Sequence, residues 1–343
     1  MKKLLNTLYV TSQGSYLSKD GECVVIRAED GLKKRFPAHV LDGIVCFGNV
    51  LCSPFLLGHC AESGLAISFL TENGRFLAGV RGPQSGNVLL RRAQYRAADD
   101  PVRSAFFARY SVAGKVANSR VVLRRGMRDH TDRLDCECVR NAIAVLDDCA
   151  LRLRHEQPLE SVRGLEGQAA NSYFGVFDEL VLVEDAGFRF SGRNRRPPLD
   201  AVNCLLSFLY TLLAHDVRSA LEAVGLDPQV GFLHRDRPGR PGLALDVMEE
   251  FRSFLTDRLA LSLINRGEVT SRGFVRKESG AVLMDDDTRK TVLIAWQKRK
   301  QKEVMHPFLQ QRIPLGLAFH VQSQLLARAI RGSIDGYPPF FWR

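Results

Sequence analysis

Apolar and polar residues follow two different rhythms along this chain of 343 residues. Up to about residue 80 the apolar positions come in short β-prone runs: Leu8 to Val10, Tyr16 to Leu17 and Cys23 to Ile26, with Lys19-Asp20-Gly21 as a hairpin turn between the last two. Ile67 and Phe69 before Asn73-Gly74, and Phe76 and Ala78 after it, alternate as a two-residue hairpin demands. One short helix interrupts the strands, with Ser53 as N-cap and Pro54 at its first position. The rhythm changes after Arg81-Gly82-Pro83-Gln84-Ser85-Gly86-Asn87, which reads as a linker. Beyond it, Leu205, Phe208, Leu209, Leu212 and Leu213 stand at i, i+3, i+4, i+7 and i+8, one apolar stripe on a helix opened by Pro197-Pro198 and Asp200. Pro314 starts another helix running towards Arg331, while between Val269 and Met284 the pattern loosens into a small hairpin or ordered loop. The fold class is therefore α+β: a small β-rich N-terminal domain over residues 1–82, a linker over 83–90, and a larger all-helical domain over 91–343.

Charge sharpens this picture. The hydrophobic fraction, 45%, is ordinary, but a net charge of +10 and a pI near 9.4 make nucleic acid the leading partner. Residues 1 to 90 hold nine Lys/Arg against seven Asp/Glu, so the basic surface belongs mainly to the later part. The eight cysteines lack zinc-finger spacing and read as reduced thiols, as in the cytoplasm. Polar residues break up the apolar start MKKLLNTLYVTSQG, and no apolar run reaches the ~18 residues a membrane span needs.

Candidate chemistry concentrates in GFLHRDRPGRPGLALDVMEEFR, residues 231 to 252. Asp246 and Glu249, at i and i+3, share one side of an apolar helix, and buried carboxylates need a partner. Salt bridges to Arg240 and Arg252 would supply one. A divalent cation shared with His234 would supply another, and oxygen ligands with one imidazole suit Mg²⁺ or Mn²⁺. A further ligand has to come from elsewhere. Glu166, in GLEGQAANSYF, lies on a helix face with Ala169, Ala170 and Tyr173 that another helix can approach, although taken alone it reads equally as a solvated residue. Tyr173 itself is a core aromatic or a group touching phosphate. Arg193, Arg195 and Arg196 form a loop cluster. Arg235, Arg237, Arg240 and Arg252 follow His234, and Lys298, Arg299, Lys300 and Lys302 follow Trp296 on a helix; all are candidates for phosphate contacts or solvated faces. His306, before Pro307, resembles a turn residue, and the tail aromatics Tyr337, Phe340, Phe341 and Trp342 look exposed for docking onto a partner.

GLEGQAANSYF, SGRNRRPPLDAVNCLLSFLYTLL and GFLHRDRPGRPGLALDVMEEFR, in that order and with the FLTENGRFLAG hairpin before them, resemble the CRISPR-associated integrase family nearly end to end. Members form the catalytic subunit of the complex that inserts new spacers into CRISPR arrays. The resemblance implies a β domain joined to an all-helical catalytic domain, a homodimer, a small ferredoxin-like partner protein and double-stranded DNA as substrate. It further implies Mg²⁺ or Mn²⁺ held by Glu166, His234 and Glu249, with Asp246 matching a further acidic position as a fourth ligand or an orienting group. The linkers and tail are nearest to type I systems. Ser253 stands where members often carry Pro and Gly242 where Ser is frequent; neither is a ligand position. The expected reaction is transesterification, which needs no ATP, and no G-x-x-x-x-G-K-[ST] loop is present. Two other functions fit the same residues: a nuclease using water on branched or double-stranded DNA, and a non-catalytic DNA-binding scaffold.

Overall fold

In the computed structural model, which describes residues 6–29, 31–41, 43–72, 74–80, 87–195 and 197–342, the chain divides into two compact units. Met1–Gly86 joins with Leu293–Lys302, and Asn87–Val292 with Glu303–Arg343. Asn73, the stretch 81–86 of the expected linker, and Arg196 lie outside the described residues.

The first unit is built on eight short strands, β1 (Thr7–Val10), β2 (Tyr16–Asp20), β3 (Cys23–Arg27), β4 (Lys33–Pro37), β5 (Gly43–Phe47), β6 (Leu51–Cys52), β7 (Ala66–Leu70) and β8 (Phe76–Val80), with one helix, α1 (Pro54–Ser63). They form two four-stranded sheets, ordered β1-β5-β7-β8 and β4-β3-β2-β6. Val10, Leu17, Val24, Ile44, Leu56 and Ile67 share one buried cluster. Ser53 caps α1 as its sequence predicts: its hydroxyl accepts the Leu56 N–H at 3.2 Å. The β7–β8 hairpin, expected to turn in two residues, instead closes through Thr71 to Arg75. Thr71 N–H donates to the Arg75 carbonyl at 2.7 Å, and the Thr71 hydroxyl accepts the Arg75 N–H at 3.0 Å. A register slip between Phe69 and Leu70 takes up the difference.

The second unit is helical: α2 (Val88–Asp99), α3 (Pro101–Asp129), α4 (Cys136–Arg152), α5 (Leu159–Gly175), α6 (Ala201–Val224), α7 (Gly242–Phe251), α8 (Arg258–Asn265), α9 (Asp286–Gln301, its last turns counted with the first unit) and α10 (Leu315–Ile330). A π-helical stretch, Arg252–Asp257, links α7 to α8. The 29-residue α3 is the spine. Asp100 accepts the Val102 and Arg103 N–H groups, Pro101 presets the first turn, and Ala108, Val112, Lys115, Val116 and Ser119 lie on its buried side. It packs against α4, α5 and α7, while α6 packs against α7 and α10. The stripe from Leu205 to Leu213 is buried, and Asp200 caps α6 by accepting the Asn203 N–H at 2.7 Å.

The all-helical expectation needs one amendment. Two small hairpins sit among the helices, β9 (Phe274–Arg276) with β10 (Val282–Met284), and β11 (Glu303–His306) with β12 (Gln311–Pro314). Only the first falls where the helical pattern loosened; in the second, alternation over four residues is too short to read from sequence. His306 ends β11 where the turn to β12 begins, and it is fully buried, its ring paired with Gln322 at 3.0 Å. Of the tail aromatics Phe341 is exposed, as expected, but the others are docked inward. Tyr337 and Phe340 are buried, the Phe340 ring stacks on Phe254 with centroids 5.2 Å apart, and Trp342 lies under the guanidinium groups of Arg125 and Arg258, at 4.0 and 4.5 Å. Glu250 is the reason: its carboxylate accepts the Tyr337 hydroxyl and, at 2.5 Å, the Phe340 N–H.

Candidate active site

Three helices and one loop, all in the second unit, bring the acidic and basic side chains together. α7 presents Asp246 and Glu249 from its buried side, as the i, i+3 spacing requires. The loop before it folds back over Asp246. Oδ2 accepts the N–H groups of Phe232 (2.5 Å) and Leu233 (2.9 Å), while Oδ1 meets the His234 N–H (3.0 Å) and ring Nδ1 (2.6 Å). Gly231 makes this wrap possible, because a Cβ there would stand 2.6 Å from the Gly242 carbonyl carbon and 2.7 Å from Asp246 Oδ2. With Nδ1 taken by Asp246, the ring turns Nε2 towards Glu249, 3.9 Å from Oε1.

α5 brings Glu166, and Arg163 one turn earlier donates to the Leu233 carbonyl at 2.7 Å, clamping α5 to the His234 loop. α3 brings a residue that sequence reasoning missed. The Lys115 ammonium lies between the carboxylates, in contact with Glu166 and 2.9 Å from Glu249 Oε2. The close approach of α3 depends on Gly114, where a Cβ would stand 2.9 Å from Glu250 Cβ. Arg252 completes the group with its guanidinium 3.1 Å from Glu249 Oε1. Burial pushes the Glu249 carboxyl up, but Arg252, Lys115 and His234 outweigh that and hold it well below the usual carboxylate range.

Two carboxylates and an imidazole with its outer nitrogen fixed by a carboxylate are the donor set of a hard divalent cation. Among the described residues, however, no three His, Cys, Asp or Glu side chains already close on one point as a finished metal shell does. The positive charge between Glu166 and Glu249 is the Lys115 ammonium. Glu249 Oε2 receives that charge without a well-directed hydrogen bond. The side chains of Glu166 (29% exposed) and His234 (17%) open the group to solvent on one side, whereas Glu249 is sealed.

The other expected residues fall in different places. Arg193 is turned inward: it donates to Asn203 Oδ1 at 2.6 Å and Ser207 Oγ at 3.1 Å, with its guanidinium 5.2 Å from the centroid of the Tyr210 ring. Arg252 is buried on Glu249, so the salt bridge considered for α7 is formed there. Arg195, Arg235 and Arg237 are exposed and Arg240 half-buried, Arg235 meeting Glu160 at 3.1 Å. Lys298 (exposed) and Arg299 (half-buried) belong to the α9 segment grouped with the first unit, where Lys300 donates to Thr7 Oγ1 at 3.1 Å. Tyr173 is core, between Phe174 and Phe177. Behind Arg252, the Tyr210 hydroxyl donates to Asp257 at 2.6 Å, and burial pushes the Asp257 carboxyl up to about 6. The one signal for Lys115 was its helical register with Ala108, Val112 and Ser119, a lysine on a side otherwise made of small residues.

The family model for CRISPR associated protein Cas1 matches residues 8–298. CRISPR-associated endonuclease Cas1 1 of Chlorobaculum tepidum is 60% identical over 343 residues, covering 100% of both chains. Among solved structures, a casposase bound to integration product has a similar fold, with TM-score 0.85 at 24% identity, covering 98% of this chain and 93% of that one. A chain of a Cas6-RT-Cas1–Cas2 complex is similar at TM-score 0.81 and 21% identity, covering 98% of this chain and 36% of that one.

Proposed function

This chain belongs to the CRISPR associated protein Cas1 family, and on that premise we propose that it is a metal-dependent DNA integrase and endonuclease of CRISPR adaptation, which joins spacer 3′-hydroxyl ends to the CRISPR repeat by transesterification. The observation that carries the reading is the meeting of Glu166 and Glu249, from two helices, on the Lys115 ammonium, with His234 Nε2 from a loop 3.9 Å from Glu249 Oε1. We assign Glu166, His234 and Glu249 as ligands of Mg²⁺ or Mn²⁺. When bound, such a cation polarises the scissile phosphoryl oxygen and lowers the pKa of the attacking hydroxyl.

The residues of the chain set the stage for that step. Asp246 has no lone pair to spare for an ion, since its oxygens already take four hydrogen bonds; it fixes the His234 tautomer so that Nε2 faces the ligands. Arg252 keeps Glu249 ionised within the protein. Glu166, the more open carboxylate, stands on the substrate side. Arg195, Arg237 and Arg240 hold DNA phosphates beside the site, and Lys298 and Arg299 form a further cationic patch. Arg193 and Arg252 shape the site from within rather than reaching the duplex.

The assembly we assign is the one that family membership favours: a homodimer with a small ferredoxin-like partner on double-stranded DNA, in the prokaryotic cytoplasm. Among the described residues, no helix is long and apolar enough to cross a membrane. The test is to incubate the chain and its partner with a spacer-like duplex and a repeat-bearing plasmid. Strand joining is expected to require a terminal 3′-hydroxyl and to vanish with EDTA or His234→Ala. Cleavage indifferent to the 3′ end would make the protein a hydrolytic nuclease instead, and joining that survives both treatments would refute the site.

A further inference from the structure

We infer that Lys115 is a placeholder cation: it holds Glu166 and Glu249 together when no metal is bound, and the divalent ion displaces it. The inference rests on the assignment of those two carboxylates as ligands. Its motive is a charge balance. Glu166, Glu249 and Asp246 contribute three negative charges, Lys115 and Arg252 two positive ones, so with a neutral His234 ring the cluster carries one net negative charge. A dication added to that set would leave one excess positive charge, and the departure of one basic group would make it neutral. One of the two basic groups has to yield.

Arg252 is not free to do so. It is buried, its guanidinium lies 5.1 Å from the centroid of the Tyr210 ring, and it engages Glu249 Oε1 at 3.1 Å. Lys115 is buried as well, but differs in build and in place. Its ammonium ends a flexible four-carbon stem, and it occupies the space between the two carboxylates. Its contact with Glu249 Oε2 has the distance of an ion pair, 2.9 Å, but not the direction of a hydrogen bond, so that buried oxygen is left without a donor. A released Lys115 would remain beside the site as a cation that a bound phosphate can accept.

Removing the placeholder should therefore weaken the metal-free protein and strengthen metal binding. The full chain, stripped with EDTA and dialysed, is titrated with Mn²⁺ by calorimetry and melted with and without Mn²⁺, for wild type, Lys115→Met, Lys115→Gln and Glu166→Gln. Lys115→Met and Lys115→Gln are expected to bind Mn²⁺ about ten-fold or more tightly than wild type, because a like charge has been removed from contact distance. They should also melt lower in EDTA and gain more from Mn²⁺. If Lys115→Met does not fold without metal, recovery of its melting transition on adding Mn²⁺ supports the inference equally. Mn²⁺ binding unchanged or weakened in both variants, with wild type and Glu166→Gln differing as ligand loss requires, would overturn the placeholder and leave the ligand assignment standing. Wild type and Glu166→Gln binding Mn²⁺ alike would overturn both.

Discussion

Replacing Asp246 by Asn tests whether its carboxylate orients the site rather than binding the ion. Its two oxygens accept three backbone N–H groups, from Phe232, Leu233 and His234, and face His234 Nδ1 at 2.6 Å. An amide has one acceptor end. Placed with its oxygen towards Phe232 and Leu233, it turns its NH₂ to the His234 N–H, which loses its bond, and to Nδ1, which must then become an acceptor. Hydrogen bonds to a charged group contribute about 1.5–3 kcal/mol each and neutral ones about 1. One lost bond and three weakened ones therefore destabilise the fold by roughly 3 kcal/mol or more. The reversed tautomer puts a proton on Nε2, the nitrogen that faces Glu249, so Mn²⁺ affinity falls by roughly 10–100-fold, the usual cost of losing a partner that orients a ligand. Urea unfolding of the metal-stripped protein gives the first quantity, Mn²⁺ calorimetry the second, and nitrogen NMR of the ring reads the tautomer directly. Asp246→Asn within about 0.5 kcal/mol of wild type, with the tautomer and Mn²⁺ affinity unchanged, would refute this reasoning.

Three other outcomes follow from the same structure. Asp257 is raised by burial to about 6, so the folded chain binds its proton more tightly than the unfolded one. Its contribution is fully present below about pH 4, lost as pH rises through about 6, and worth roughly 3 kcal/mol; melting curves against pH should show this component in wild type and not in Asp257→Asn. Phe340→Ala removes a fully buried ring from between Phe251 and Phe254 and should cost roughly 3–5 kcal/mol in chemical denaturation, whereas a tail free to dock elsewhere would lose almost nothing. Arg237→Ala should lower the slope of log affinity for duplex DNA against log salt by about 0.9 if that side chain contacts one phosphate; an unchanged slope would place it outside the DNA path.

What the sequence determined by itself is what local rules govern. The strands at Leu8 to Val10, Tyr16 to Leu17, Cys23 to Ile26, Ile67 to Phe69 and Phe76 to Ala78, the caps at Ser53 and Asp200, the α6 stripe and the shared side of Asp246 and Glu249 all depend on neighbours within about a turn or a hairpin, and the structure has them where those patterns predict, whereas β4, β5 and β6 gave no such pattern. The family motifs pointed to Glu166, His234 and Glu249, although nothing local to Glu166 tells a ligand from a solvated residue. Only the tertiary structure decided which charges meet. Lys115 lies 51 residues from Glu166 in sequence and reaches it because Gly114 lets α3 close onto α7. Arg193 and Arg252, indistinguishable in sequence from residues that meet solvent, turn inward because Asn203 and Glu249 are there to receive them. The tail aromatics read as a docking segment until Glu250 supplies the acceptor that draws Tyr337 and Phe340 inside. Periodicity reports which side of an element is buried; the identity of the partner across the interface is set by helix packing, and that depends on contacts far apart along the chain.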